Sequence, residues 1–495
     1  MSIYVLLLLI CYVIRLWLST FSGIHPDEAY YWTWAQNLHM GYFDHPPMIA
    51  WIIALGQKTF CLFSGQSFPK DEFWLQISFR WLPYFFSTVL TPYFLGLSIR
   101  LYQRRLVSFT QGLAILSTPI FCLGPHIITP DSVFFFGWVL CLYGTMKVRK
   151  LRPKDAAPDE ITPFSLKHCL FMGFALAFAA YSKFTAILLI FLYALSGAGL
   201  WNTLGSGLTA LILCLPYFYW TISTAAKKGI GIFFQFQNGM NPFNSPVEWS
   251  RVGDLILAQF VLWGPLVILY LIYFSIGKLR RRAWLILWTI APLIFFSIGA
   301  LRRPAEANWA LVGAIPALVI VISDLSRKAI QLSYLSISNF LTIFLGLIIL
   351  INGALFAPIF EKSYPRISEK LSKPSRINEF RGWKRFREFV FEASRDDQAP
   401  ILVDRYQVLS PLLFFDSIAA ADESLGERLK IWNEGGSRKS QFTIEERYQI
   451  PQGTKNYWIL LDDLSKIPAN CRFSQSLFRG VEDIHTYHLL KCSIE

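Results

Sequence analysis

Charge is what this sequence has little of. Only 16% of its 495 residues are Asp, Glu, Lys or Arg, against 54% hydrophobic and 16% aromatic. A soluble globular chain carries about 25% charged residues, so this composition does not supply an ordinary water-solvated surface, and the mean hydropathy of +0.41 agrees. The eight cysteines include no C-x-x-C pair and no zinc-finger spacing, which argues against thiol redox and metal-finger modules. Cys11, Cys122, Cys141, Cys169 and Cys214 lie in apolar runs, where a small polarisable side chain packs. Cys471 and Cys492 lie in the polar C-terminal part and would pair in an oxidising compartment. No glycine-rich nucleotide-binding fingerprint occurs. Internal repeats and low-complexity stretches are also missing, and long apolar runs stop at residue 358.

Before that point they recur. Runs long enough to cross a hydrocarbon core of about 30 Å fall near 3–20, 79–99, 107–124, 132–147, 168–182, 184–200, 205–223, 254–276, 283–300, 309–323 and 337–358. The formal charge of +13 sits at alternate ends of these runs. That is the positive-inside pattern of a polytopic membrane protein, so no nucleic-acid partner is expected. A cytoplasmic N-terminus puts Arg100, Arg104, Arg105, Lys147, Arg149, Lys150 and the 278–282 and 327–328 cations inside. The opposite side holds fewer, notably Lys58, Lys70, Lys227, Lys228, Arg302 and Arg303. The first run has the length of a signal-peptide core, but no small-residue cleavage site follows, so it is expected to stay as a helix.

Eleven spans send residues 359–495 to the outside. The first outer loop contains Met48–Phe63, read as an amphipathic helix on the membrane surface, begun by Pro46 and Pro47. In the C-terminal part, Ser375–Arg395 reads as one amphipathic helix with Phe380, Trp383, Phe386, Phe389 and Val390 near one face. Ile401–Val403 and Tyr457–Leu461 read as short buried strands, each followed by an aspartate, Asp404 and Asp462. The expected architecture is an all-α polytopic membrane domain over 1–358, whose first outer loop (21–78) carries the chemistry. A small extracytoplasmic α/β domain over 359–495 follows it.

Polar residues that could do chemistry fall in the outer loops. His25-Pro-Asp-Glu-Ala-Tyr-Tyr31 follows the first helix, and Gly41-Tyr-Phe-Asp-His-Pro-Pro47 comes soon after. Carboxylates at a membrane boundary are costly unless paired or used, and desolvation suits a general base. Two readings stay open: Asp27 or Glu28 caps the helix after Pro26 and Asp44 the helix after Pro46, or they act on substrate. Asp131, in Thr129-Pro-Asp131, caps the fourth span or joins the site beside Asp27. Lys183, in Tyr181-Ser-Lys-Phe184, snorkels or meets an anion. Arg302-Arg-Pro-Ala-Glu-Ala-Asn-Trp309 puts two guanidinium forks on the outer side, suited to phosphate, with Glu306 placed to hold one of them. Asn308 and Trp309 either contact a sugar or mark the interface. The polar loop Gly435–Gln441 is placed to touch a glycan.

In this order the motifs resemble those of bacterial glycosyltransferase family 39, of the multi-spanning GT-C architecture, which includes protein O-mannosyltransferases and the lipid A aminoarabinose transferase. The resemblance covers 1–358 and is strongest at 23–52, 128–133, 180–185 and 301–310. It implies a sugar transferase of the bacterial inner membrane, taking its sugar from a polyprenyl-phosphate donor on the extracytoplasmic side. The acceptor would be lipid A or another lipopolysaccharide sugar, another glycan or a protein, and the anomeric centre would invert. Asp27 matches the family's presumed base, with Glu28 and Asp131 beside it. Asp44, His45, Lys183, Arg302, Arg303, Glu306 and Asn308 fall to the donor phosphate and substrate. In the aminoarabinose relatives a Glu-Lys pair near metal and carrier phosphate stands where this chain has Asp44-His45; a divalent ion there stays an open expectation, and no other cofactor is implied. The competing readings are a flippase of lipid-linked sugars, disfavoured by the absent repeat and the outer placement of charge, and a receptor or scaffold, which would not need eleven spans.

Overall fold

The computed structural model describes residues 2–65, 67–104, 106–107, 109–116, 118–122, 127–151, 163–229, 246–264, 267–268, 271, 279–303, 305–329, 378–380, 382–432, 440–468, 470–479 and 485–493. The expected last span, 337–358, and the proposed boundary at 358 lie outside them. Among the described residues the elements of the membrane part are helices: α1 (Ser2–Ser19), α2 (Pro26–Gln36), α3 (Met48–Ser64) and the long α4 (Glu72–Gln103) come first. Then follow α5 (Phe109–Leu116), α6 (Pro119–Cys122), α7 (Pro130–Leu151), α8 (Leu166–Ser182), α9 (Ile187–Leu195), α10 (Leu200–Lys228), α11 (Trp249–Trp263), α12 (Leu279–Ala300) and α13 (Ala314–Ala329).

Among the described helices, Glu72–Gln103, Leu200–Lys228 and Ala283–Ala300 are long and apolar enough to cross a membrane. Ile3–Ser19, Leu166–Ser182, Phe184–Leu195 and Leu311–Asp324 are shorter apolar helices in the same body. α10 leaves Leu204, Leu208, Leu211, Ile212, Leu215 and Ile222 exposed. A row of that size belongs against lipid. The chain is a polytopic all-α membrane protein with a small C-terminal sheet domain.

Several expected boundaries shift for local reasons. α4 starts at Glu72 because Asp71 caps it, accepting the Trp74 amide at 2.9 Å. It carries a π-helical turn, Phe86–Leu90, between Pro83 and Pro92, where the rings remove donors from the regular ladder. The break between α8 and α9 falls at Lys183, whose backbone is extended (φ −159°, ψ 143°), before a 3-10 turn at Phe184–Ala186. The expected single helix over Ser375–Arg395 is not one helix within its described part. A 3-10 turn, Asn378–Phe380, precedes Gly382 at φ +75°, and α14 (Trp383–Ala393) begins after it. A left-handed glycine cannot continue a right-handed helix. Trp383, Phe386 and Val390 are buried, whereas Phe389 is only partly so.

The outer domain continues with β1 (Ile401–Val403), α15 (Tyr406–Asp416), β2 (Leu429–Ile431), α16 (Gln441–Ile444), β3 (Asn456–Leu461), β4 (Cys471–Arg479) and β5 (His485–Ser493). The sheet order is β2-β1-β3-β5-β4. β1 runs parallel to β2 and β3, and the β3, β5 and β4 pairings are antiparallel. Ile401, Leu402, Val403, Ile459, Leu460 and Leu461 are fully buried, as continuous apolar strands covered on both faces should be. Cys471 and Cys492 stand opposite each other on β4 and β5 and are joined by a disulfide. α15 lies along α2, with Trp32 on Phe414 and Tyr30 on Tyr406, and so docks the outer domain on the first loop.

Candidate active site

The site is assembled around the start of α2. His25 is the N-cap: its Nδ1 accepts the Asp27 amide at 3.2 Å, and Glu28 accepts the His25 amide at 3.2 Å, a reciprocal capping box. The capping duty therefore falls to His25 and Glu28, leaving the Asp27 carboxylate for other partners. Glu28 also meets Arg80 of α4, with Nη2 to Oε2 at 2.6 Å, and both side chains are fully buried. Arg80 further donates to the carbonyls of Ser19 and Gly23 and to Gln76, while Glu28 accepts the Ile128 amide at 3.1 Å. One ion pair thus ties together the end of α1, the first loop, α4 and the segment that leads into Asp131. Arg80 was not singled out from the sequence; a lone arginine inside an apolar run was the available signal.

Asp131 does not cap α7. Its Oδ1 accepts Lys183 Nζ at 2.7 Å and its Oδ2 accepts Asn308 Nδ2 at 2.5 Å. Three of the sequence motifs, far apart in the chain, meet at this carboxylate. The extended backbone at Lys183 turns the ammonium toward Asp131. An ammonium has three donors, so two remain after this pair. The 301–309 loop carrying Asn308 is held by α11: Arg251 donates to the Arg302 carbonyl at 2.9 Å and Gln259 to the Ala307 carbonyl at 2.6 Å.

Asp27 is a little over one-third exposed at most, with 35% of its side chain reached by solvent, and its Oδ1 accepts the Tyr406 hydroxyl of α15 at 3.2 Å. His25 Nε2 lies 3.0 Å from Glu379. Burial works against protonating His25, but the bond to Glu379 and the charges of Asp27 and Glu28 outweigh it and raise its pKa. Tyr31, one helical turn from Asp27, is buried where burial itself, then the charges of Asp27, Tyr406, Asp44 and Asp131, hold its pKa far above the ordinary value. Tyr31 thus feels the charge of all three carboxylates. The i, i+4 spacing in Asp27–Tyr31 was the missed signal.

Asp44 is not a helix cap either: α3 has Pro47 at its N-cap, without a side-chain bond. Its Oδ2 accepts Tyr30 Oη at 2.5 Å, and that oxygen accepts the Gln441 amide at 2.6 Å. Gln441 Oε1 in turn accepts the Phe43 amide at 2.7 Å, so the end of the polar loop 435–441 is fastened beside Asp44. His45 lies against Tyr31, with ring centroids 6.2 Å apart.

Glu306 is exposed and pairs with neither Arg302 nor Arg303 among the described residues, which corrects the expectation that it holds one of them. Both arginines are partly exposed. No group of three His, Cys, Asp or Glu side chains able to hold a metal occurs among the described residues. A depression of about 620 Å³ lined by Gln36, Gln57, Lys58 and Phe68 lies toward the other end of α2 and contains none of these residues.

No family model matches the chain. Over 311 residues it is 22% identical to the lipid A galacturonosyltransferase RgtD of Rhizobium johnstonii, an alignment covering 60% of this chain and 59% of that protein. The match therefore spans about three-fifths of the relative's length. A structure of ArnT from Cupriavidus metallidurans bound to undecaprenyl phosphate superposes with a TM-score of 0.57 and 12% identity, over 98% of each chain. The fold is that of ArnT. The apo state of the same ArnT gives a TM-score of 0.54 and 12% identity over 99% of this chain and 97% of that one. The resemblance read from the outer loops included the lipid A aminoarabinose transferase, and the whole fold is similar to that of ArnT.

Proposed function

We propose that this chain transfers a sugar from a polyprenyl-phosphate donor to a lipid acceptor of the lipid A class, on the extracytoplasmic face of a bacterial inner membrane. The observation that carries this reading is the convergence of Lys183 and Asn308 on Asp131, at 2.7 and 2.5 Å. Support comes from the relative's lipid A activity and from the undecaprenyl phosphate bound to the structural neighbour.

Asp27 orients the acceptor hydroxyl and takes its proton as the oxygen forms its bond to the anomeric carbon. The bond from that carbon to the phosphate oxygen breaks, and the carrier phosphate leaves with the electron pair. Attack opposite the leaving group inverts the centre. The two remaining Lys183 donors, with Arg302 and Arg303, meet the charge that grows on the phosphate. Asp131 neutralises Lys183 before donor arrives, which makes a buried ammonium tolerable. Glu28 acts here by position, since its oxygens are taken by Arg80, His25 and Ile128.

The disulfide between Cys471 and Cys492 favours an oxidising compartment for the outer domain and hence the extracytoplasmic side. The test is mass spectrometry of envelope glycoconjugates from cells making wild-type or Asp27→Asn protein at equal membrane levels. A lipid A, glycan or protein species lacking one sugar only in the variant names the acceptor. Equal profiles, both differing from cells without the protein, would remove Asp27 as the base and favour transport of lipid-linked sugar instead.

A further inference from the structure

Asp404 and Asp462 occupy matching places in the outer sheet. Each is the first residue after a parallel strand, β1 or β3, and those strands are neighbours. From β1 the chain moves through α15 to β2 on one side; from β3 it moves to β4 and β5 on the other. Open α/β sheets hold their ligands at the carboxyl edge, at the point where the connections part in this way.

The carboxylates there lack donors. Asp404 is 1% exposed, yet neither of its oxygens receives a hydrogen bond from another residue. The nearby cations stand off from its Oδ2, Arg405 Nε at 3.6 Å and Lys466 Nζ at 3.9 Å. Asp462 gives one oxygen to Arg405 at 2.5 Å, while its Oδ1 is buried and equally without a donor. Three buried carboxylate oxygens in this condition cost stability, which is tolerable where a ligand supplies the missing bonds. Two acids and two bases leave the cluster without net charge, so what these three oxygens lack is a donor within bonding distance and not a counter-ion. Arg405 and Lys466 are 44% and 33% exposed and form its open side.

We propose that this edge is a saccharide subsite, in which Asp404 and Asp462 accept hydrogen bonds from ring hydroxyl groups of the acceptor. It rests on the transferase reading and names the part of the molecule that grips the acceptor. Tyr406, two residues beyond Asp404, reaches Asp27, so the edge adjoins the carboxylate assigned to the acceptor hydroxyl. The cations assigned to the donor phosphate all belong to the membrane part.

The experiment uses the full chain in lipid nanodiscs, as wild type, Asp404→Asn and Asp462→Asn. Transfer from a polyprenyl-phosphate sugar to lipid A is followed at varied concentrations of each substrate. The KM for acceptor should rise about tenfold or more in each variant, with the KM for donor within about twofold. A rise in donor KM instead would move the subsite to the donor sugar, and unchanged constants would remove it; either overturns the proposal. Should Asp404→Asn fail to fold, Asp462→Asn, whose side chain is 28% exposed, answers the same question. Binding of O-deacylated lipid A without donor, read by saturation-transfer NMR, separates the two hypotheses. Probe binding lost in the variants, with no transfer by wild type, would sink the transferase reading and keep the subsite. Wild-type transfer with equal probe binding by all three proteins would sink the subsite alone.

Discussion

Glu28 and Arg80 form an ion pair of 2.6 Å in which neither side chain is exposed. Around it converge the end of α1, the first outer loop, α4 and the entry to α7. Removing one partner of such a pair strands a buried charge, at a cost of about 3–5 kcal/mol. Arg80→Leu should therefore lower the thermal unfolding temperature in detergent markedly and reduce the amount of protein in the membrane. The double variant Arg80→Met with Glu28→Gln should recover a large part of the loss. Single variants as stable as wild type would show that the pair does not hold these segments.

Asp27 and Lys183 should separate kinetically. Asp27→Asn keeps the shape of the carboxylate but cannot take a proton, so kcat should fall by about a hundredfold or more with little change in KM. Lys183→Met removes a contact to the donor phosphate and frees Asp131 as an unpaired acid, so the KM for donor should rise as kcat falls. Lys183→Arg, which keeps the charge, should retain more activity than Lys183→Met. Equal effects of Lys183→Met and Lys183→Arg on donor KM would speak against a phosphate contact.

Tyr406 joins the outer domain to the proposed base. Tyr406→Phe removes one hydroxyl and the 3.2 Å bond to Asp27 while keeping the ring against Tyr30. A neutral donor to a carboxylate is worth about 1.5–3 kcal/mol. The variant should lose about tenfold or more in kcat, because the bond that orients the Asp27 carboxylate is gone. An unchanged kcat would leave Tyr406 a packing residue.

Much of this arrangement was legible before the fold was known. Apolar run lengths and the alternation of cations marked most of the described helices, because lipid tolerates few charges along a span. Runs of apolar residues before Asp404 and Asp462 marked two of the strands. The outer-loop motifs named Asp27, Asp131, Lys183 and Asn308 without showing which of them touch, since contacts across more than 100 residues depend on helix packing. Arg80 was hidden in an apolar run, and Tyr406 in a helix of the other domain. The caps stayed open for a different reason: an aspartate near a helix start can cap it, and only the rival bonds from Lys183, Asn308 and Tyr30 show that Asp131 and Asp44 take other partners.

The disulfide gives a test of sidedness. Cys471→Ser opens a bridge spanning 21 residues, a loss of about 3 kcal/mol in chain-entropy terms, so the outer domain should unfold at lower temperature. In intact spheroplasts, a membrane-impermeant reductant followed by an impermeant maleimide should label wild-type protein at both cysteines. Labelling only after the membrane is opened would place the domain on the cytoplasmic side and end the proposed extracytoplasmic reaction.

Asp404 predicts an unusual pH response. Burial first, then the charge of Asp462, raise its pKa to about 6 in the folded chain, against about 3.9 when unfolded. The folded state therefore binds the proton more tightly. Below pH 4 both states are protonated and the group costs nothing. Between about 4 and 6 stability falls as pH rises, and above 6 the full cost of a buried charge is present, about 3 kcal/mol for a shift of this size. Asp404→Asn has no such charge, so it should unfold at a higher temperature than wild type at pH 7.5, with the advantage gone near pH 4. That pattern is expected of a residue kept for binding at the expense of folding. An asparagine variant less stable than wild type at both pH values would show instead that the carboxylate is bonded in the folded chain, and that the edge of the sheet needs no ligand to satisfy it.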